Sequence, residues 1–191
     1  DNNIKNYLEP FCGALGVIKH MEIEDNDDKY KYYANDLSKD LILLWEKVQQ
    51  KTFENPKITE TTWNDLKYSS EPSAEKAFAG YGLSFSGIYF GSYVHNYNDK
   101  AYKHLYRHNI NHIKFSSYDY THCSEMLERG GFLVYCDPPY RGTDCTPYKR
   151  SLKISHFDSD KFWEIVEVWR RNGNIVIVSE FSAPDGWECI W

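Results

Sequence analysis

The sequence predicts an α/β sandwich built on a mostly parallel sheet, and three observations predict it. Apolar stretches of strand length alternate with segments of helical periodicity. A strand, glycine turn and helix open the chain at residues 4 to 21, the arrangement that begins a nucleotide-binding α/β unit. The last apolar runs, FLVYC (132 to 136) and IVIVSEF (175 to 181), are continuous rather than alternating, as strands covered on both faces are.

In order, IKNYLEPF (4 to 11) reads as the first strand, followed by the turn Cys12-Gly13-Ala14 and a helix carrying Val17, Ile18 and Met21. A second strand, YKYYAND, follows an acidic loop from Glu22 to Asp28. Ser38 is placed to cap a helix whose Leu41, Leu44, Trp45 and Val48 fall at i, i+3, i+4 and i+7. From 51 to 111 the rhythm breaks into polar and aromatic sequence with a glycine-rich stretch, GYGLSFSGIYFGSY (80 to 93), which we read as an inserted subdomain. Alternation resumes with IKFSSYDY (113 to 120), a helix at about 121 to 129, FLVYC, a helix marked by Phe162, Ile165, Val166 and Trp169 and ended by Gly173, and finally IVIVSEF. Residues 1–50 and 112–191 thus form one domain and 51–111 its insertion. Ligands are expected at the carboxyl ends of the strands.

Composition excludes several classes. The 191 residues are 41% hydrophobic and 26% charged, which rules out a collagen, a coiled coil or a disordered tail. With 28 acidic and 22 basic residues the net charge is -6, so a nucleic-acid partner must be met by local patches rather than a basic coat. Aromatics reach 17%, more than the core of such a domain requires, so some belong to a binding surface. No apolar run reaches the roughly 20 residues of a membrane span. Five cysteines without a CxxC pair, the absence of a glycosylation sequon and the lack of an apolar leader predict a reducing, cytoplasmic setting and no zinc site. His104, His108 and His112 recur at helical spacing without acidic or thiol partners, so no metal is expected there.

The most informative segment is Asp137-Pro138-Pro139-Tyr140, at the end of FLVYC. Two prolines forbid helix and ladder bonding, so the chain leaves the sheet in a rigid extended turn. Around one small space that turn gathers a carboxylate, the Pro138 carbonyl and an aromatic face, which suit a flat base with an exocyclic amino group.

With these residues in place the chain resembles the Dam-type (D12 class) DNA adenine-N6 methyltransferases, in family order over nearly its whole length. Glu9-Pro10-Phe11-Cys12-Gly13-Ala14 resembles the EPFxGxG cofactor loop, with Leu15 standing where the family has its second glycine. Asn35-Asp36 and Asp119-Tyr120 resemble the acidic positions after the second and third strands. DPPY with Gly142-Thr143 and Tyr148 resembles the catalytic segment, and Phe157-Asp158, VSEF and Ala183-Pro184 resemble the tail of phage-type members. The glycine-rich stretch resembles their target-recognition insertion. In that family a glycine and lysine segment precedes the first strand and a further strand completes the sheet; these residues carry neither.

The resemblance implies a Rossmann-like methyltransferase fold, S-adenosyl-L-methionine as cofactor and double-stranded DNA as partner. Asp137, Pro138, Pro139 and Tyr140 are then catalytic. Glu9, Pro10, Phe11, Gly13, Asp36, Asp119, Tyr120 and Asp137 are the cofactor candidates. Asp36 would meet the ribose hydroxyls, or else serve as a helix-start acid; Asp119 would meet the cofactor's adenine, or else serve as a turn or cap residue. Lys100, Lys103, Arg107, Arg141, Lys149 and Arg150 are the phosphate-contact candidates, and Tyr81, Ser84, Phe85 and Tyr89 are candidates for reading the target. The expected reaction is methyl transfer to N6 of a flipped adenine. Cytosine N4, an RNA adenine and a catalytically silent nucleic-acid binder remain as alternatives.

Overall fold

The computed structural model describes residues 4–24, 30–107, 109–142 and 157–190. Five strands, β1 (Asn6–Glu9), β2 (Lys31–Asn35), β3 (Ile113–Ser116), β4 (Phe132–Cys136) and β5 (Ile175–Val178), form one sheet in the order β3-β2-β1-β4-β5. Every pairing is parallel. The chain steps outward from β1 in one direction to β3, then returns to the other side of β1 for β4 and β5. The strand order therefore reverses between β1 and β4, and a crevice opens there at the carboxyl ends.

Alternation along the strands sorts the core into two layers. Tyr7, Tyr32, Ala34 and Ile113 face α1 (Ile18–Glu24) and α2 (Lys39–Gln49). Leu8, Phe132, Val134 and Cys136 face α6 (Cys123–Leu127) and α7 (Ser159–Arg171). The 3.6-residue pattern read in α2 holds: Leu41, Leu44, Trp45 and Val48 are all buried. Ser38 occupies its N-cap, yet the serine side chain makes no capping bond. In α7 it is Asp158 that caps, accepting from Lys161 N–H at 3.0 Å, and Gly173 at φ +89° ends the helical run.

Strands expected from apolar content come out shorter than the runs that suggested them. IVIVSEF pairs only over Ile175–Val178, and Ile175 is 45% exposed because β5 is an edge strand with one neighbour. IKFSSYDY pairs over four residues before Asp119 turns the chain into a 3₁₀ turn (Tyr120–His122).

The described residues of 51–111 add no strand to the sheet. They form α3 (Glu60–Tyr68), α4 (Ala74–Ala77) running into a π turn (Phe78–Gly82), a 3₁₀ turn (Phe85–Gly87) and α5 (Asn98–Leu105). Phe53, Trp63, Phe78 and Ala101 join the same apolar cluster as Tyr7 and Trp45. A buried carboxylate fixes this seat: Asp40 of α2 accepts Ser73 N–H at 2.8 Å and the Tyr89 hydroxyl at 3.3 Å, with Lys76 Nζ 3.9 Å away. Gly80 permits the close packing, since a Cβ there would stand 2.4 Å from the Tyr89 ring.

Candidate functional site

Three loops leave the carboxyl ends of β1, β2 and β3, and one side chain ties them. Asn35, 1% exposed, donates through Nδ2 to Pro10 O at 3.1 Å and Tyr118 O at 2.9 Å, and accepts at Oδ1 from Ser116 Oγ and Tyr118 N–H. Next to it, Asp36 accepts Gly13 N–H at 3.0 Å and Ser38 N–H at 2.8 Å. Gly13 is held from its other side as well, its carbonyl accepting Trp45 Nε1 at 3.0 Å. Both Asp36 oxygens thus hold backbone, and the residue is 1% exposed; its helix-start role is visible, and it also anchors the β1 loop. The helical pattern marks Trp45 only as a core residue and nothing local gives Asn35 a role; hydrogen-bond capacity in a buried position is the available signal.

Leu15 has φ +58°, a left-handed conformation natural to glycine, and is 1% exposed. Its side chain goes into the core, so it does not fill the loop's outer face. Glu9 is 3% exposed; its carboxylate accepts the Tyr7 hydroxyl at 2.8 Å and the Ile18 N–H that begins α1. Burial pushes this carboxyl up to about 7, those two bonds oppose the rise, and the charge of Asp137 adds to it.

On the opposite layer of the sheet, Phe11, Tyr120, Phe157 and Phe162 form an aromatic cluster, with Phe11 and Tyr120 centroids 5.2 Å apart and Phe11 and Phe157 6.0 Å. Desolvation, helped by the charges of Asp119 and Asp158, raises the Tyr120 hydroxyl to about 12, so it stays neutral. Asp119 accepts Thr121 N–H at 3.0 Å and its hydroxyl at 2.6 Å through one oxygen, the turn-capping role.

At the end of β4, Asp137 is exposed and its carboxylate makes no hydrogen bond or ion pair among the described residues, while Pro138 is buried behind it. Tyr140 is fixed by Ser179, its hydroxyl 2.6 Å from the serine Oγ, and by an edge contact with Phe181 at 5.0 Å. Ser179 N–H in turn donates to Cys136 O at 2.8 Å, so the residue after β5 sets the turn after β4.

The remaining candidates divide by burial. Lys100 and Lys103 are exposed on α5, with Arg107 exposed just beyond it. Arg141 is exposed and paired with Asp160 at 2.8 Å. Lys149 and Arg150, like Thr143, Tyr148 and His108, lie outside the described residues. Two target-reading candidates are buried. Ser84 is 6% exposed, 3.5 Å from Ala79 O, and Tyr89 is 8% exposed with its hydroxyl 3.3 Å from Asp40, so both help to shape the insertion from within. Phe85, 70% exposed, does face outward, and Tyr81 is half-buried against Tyr89. Among the described residues no three His, Cys, Asp or Glu side chains cluster as metal ligands, and no helix is long and apolar enough to cross a membrane.

A five-stranded parallel sheet reversing at β1 and β4, with an acidic Pro-Pro turn at that reversal, is a Rossmann-like methyltransferase architecture. The family model for D12 class N6 adenine-specific DNA methyltransferases matches residues 83–180, just over half of the chain, and the protein belongs to that family. The match spans the Asp119 turn, the Asp137–Tyr140 segment and β5, and starts after the β1 and β2 loops. No curated protein matches the chain.

Proposed function

We propose that the protein methylates N6 of an adenine extruded from double-stranded DNA, with S-adenosyl-L-methionine as donor. The observation that carries this reading is the exposed carboxylate of Asp137, without a partner among the described residues, on a rigid turn at the sheet's reversal point. There it accepts a hydrogen bond from one N–H of the adenine amino group, Pro138 O accepts one from the other N–H, and Tyr140 offers its face to the base. These bonds hold the nitrogen with its lone pair turned toward the donor, an orientation worth on the order of 10² or more in rate.

The residues present fit the cofactor. Phe11 and Tyr120 form a partly open aromatic wall for its adenine, with the second Asp119 oxygen beside it, and Gly13 has open space where a side chain would project. The cofactor supplies an electrophilic methyl on a sulfonium centre. In this reading Asp36, with both oxygens on backbone N–H groups, holds the loop under the ribose; Glu9 and Pro10 position the loop from inside. The buried Leu15 side chain supports an active over a silent protein, because the loop's outer face stays clear. Residues 51–111 serve as the target-recognition subdomain, with Phe85 and Tyr81 toward the bases and Lys100, Lys103, Arg107, Arg141, Lys149 and Arg150 toward phosphates.

Incubating the protein with methyl-labelled cofactor and random-sequence duplex, then digesting to nucleosides, tests the reading. Label in N6-methyladenine is the expected result; label in N4-methylcytosine, in RNA alone, or in nothing overturns it.

A further inference from the structure

A cavity of about 590 Å³ lies between the β1 loop, α2 and the insertion, on the layer of the sheet opposite Phe11 and Tyr120. That volume is of the size that takes small molecules. Its walls are flat and apolar, from Trp45, Phe78 and Tyr97 with Leu44 and Leu105, and Gly13 and Ala14 form one side. Phe85 and Ser86, both exposed, also line it. Polar groups on the wall are mostly spent: Trp45 Nε1 on Gly13 O, Ser84 close to Ala79 O.

The imidazole of His104 is different: its Nε2 is buried and has no hydrogen-bond partner among the described residues. Its ring meets the edge of Tyr97 at 6.4 Å, and desolvation, with Arg107 and Lys100 nearby, favours the neutral form. A neutral imidazole nitrogen without a protein partner on an apolar wall gains free energy from an incoming polar atom. Aromatic walls set the rest of the ligand's shape: flat, with both faces covered.

We propose that this chamber is a second ligand site, separate from the methyl-transfer site, which takes a flat, uncharged nitrogen heteroaromatic whose ring nitrogen pairs with His104 Nε2. Because Gly13 and Ala14 form one wall and Phe85 another, occupancy touches both the β1 loop and the insertion.

The test uses benzimidazole, which offers both an N–H and a bare nitrogen and so matches either tautomer of His104, against indene, a hydrocarbon of the same outline. Binding to the full chain is followed by amide shifts of Gly13, Ala14, Gly82 and Ala101. Benzimidazole is expected to bind with a dissociation constant on the order of 0.1 to 1 mM, about tenfold tighter than indene. His104→Phe should erase that tenfold preference while indene still binds, and Ala101→Leu, which fills the chamber, should weaken both probes. Equal affinity for the two probes, a preference that survives His104→Phe, or shifts centred instead on the separate groove that Arg141, Trp163 and Trp187 line beside α7 overturn the proposal. Displacement of benzimidazole by S-adenosylhomocysteine also overturns it, by making the chamber part of the cofactor site.

Discussion

The Tyr140 hydroxyl and Ser179 Oγ stand 2.6 Å apart, a bond that joins the turn after β4 to the residue after β5. Through it the aromatic face proposed for the target base is fixed by a neighbouring strand end and not by its own loop. Ser179→Ala should lower kcat about fivefold, the worth of roughly 1 kcal/mol for one side-chain bond, with cofactor affinity unchanged. Ser179→Thr should restore it, and steady-state kinetics on a methylatable duplex checks both.

Asp137→Ala should reduce methyl transfer by on the order of 10² or more and leave S-adenosylhomocysteine affinity within a few-fold. Because Asp137 is exposed and makes no described bond, thermal stability should hold. Calorimetry and a melting curve beside the activity assay separate this from unfolding; retained activity would remove Asp137 from the reaction.

Glu9 makes stability pH-dependent in a direction opposite to most carboxylates. Its value rises from an ordinary 4.5 to about 7 on folding, so between those values the native state binds more protons than the unfolded chain. The contribution is complete below pH 4.5 and is lost as pH climbs through 7. At about 1.4 kcal/mol per unit the loss is on the order of 3 kcal/mol. Urea unfolding at pH 5 and pH 8 should show Glu9→Gln gaining stability relative to the parent at the higher pH.

At Leu15 two effects oppose. Glycine would relieve a left-handed backbone costing about 1 kcal/mol, but it would also empty a site now filled by a side chain 1% exposed, a loss of about 2 to 5 kcal/mol. Packing wins, so Leu15→Gly should destabilise by about 1 to 4 kcal/mol, measured by denaturant titration.

Phe85 and Tyr89 are four residues apart with opposite fates. Phe85→Ala should change which duplexes are methylated at unchanged stability, whereas Tyr89→Phe should cost about 1 kcal/mol by leaving the buried Asp40 oxygen short of a donor. Parallel melting curves and sequence-selection assays distinguish them.

The sheet was readable because period and apolar content are local signals: FLVYC matched β4 residue for residue, and α2 followed its heptad-like spacing. The reversal between β1 and β4 is not legible there, because alternation of strands and helices implies a parallel sheet but not the order of its strands. What stayed hidden depended on long-range partners. Nothing local distinguishes Phe85, turned outward, from Tyr89, whose hydroxyl finds Asp40 across 49 residues. Likewise Asp36 reads as a ligand acid from its position, and only the fold reveals that Gly13, 23 residues away, already claims one of its oxygens.

Asn35, the last residue of β2, spends its four side-chain bonds on the loop after β1 and on the end of β3 with its following loop. Neither loop can lift without breaking a bond to the same amide group, so the two open as one cooperative unit. Amide hydrogens of Cys12 and Tyr118, 106 positions apart yet both closed around Asn35, should then exchange with solvent at a shared opening free energy, and a cofactor that seals one loop will slow exchange in the other.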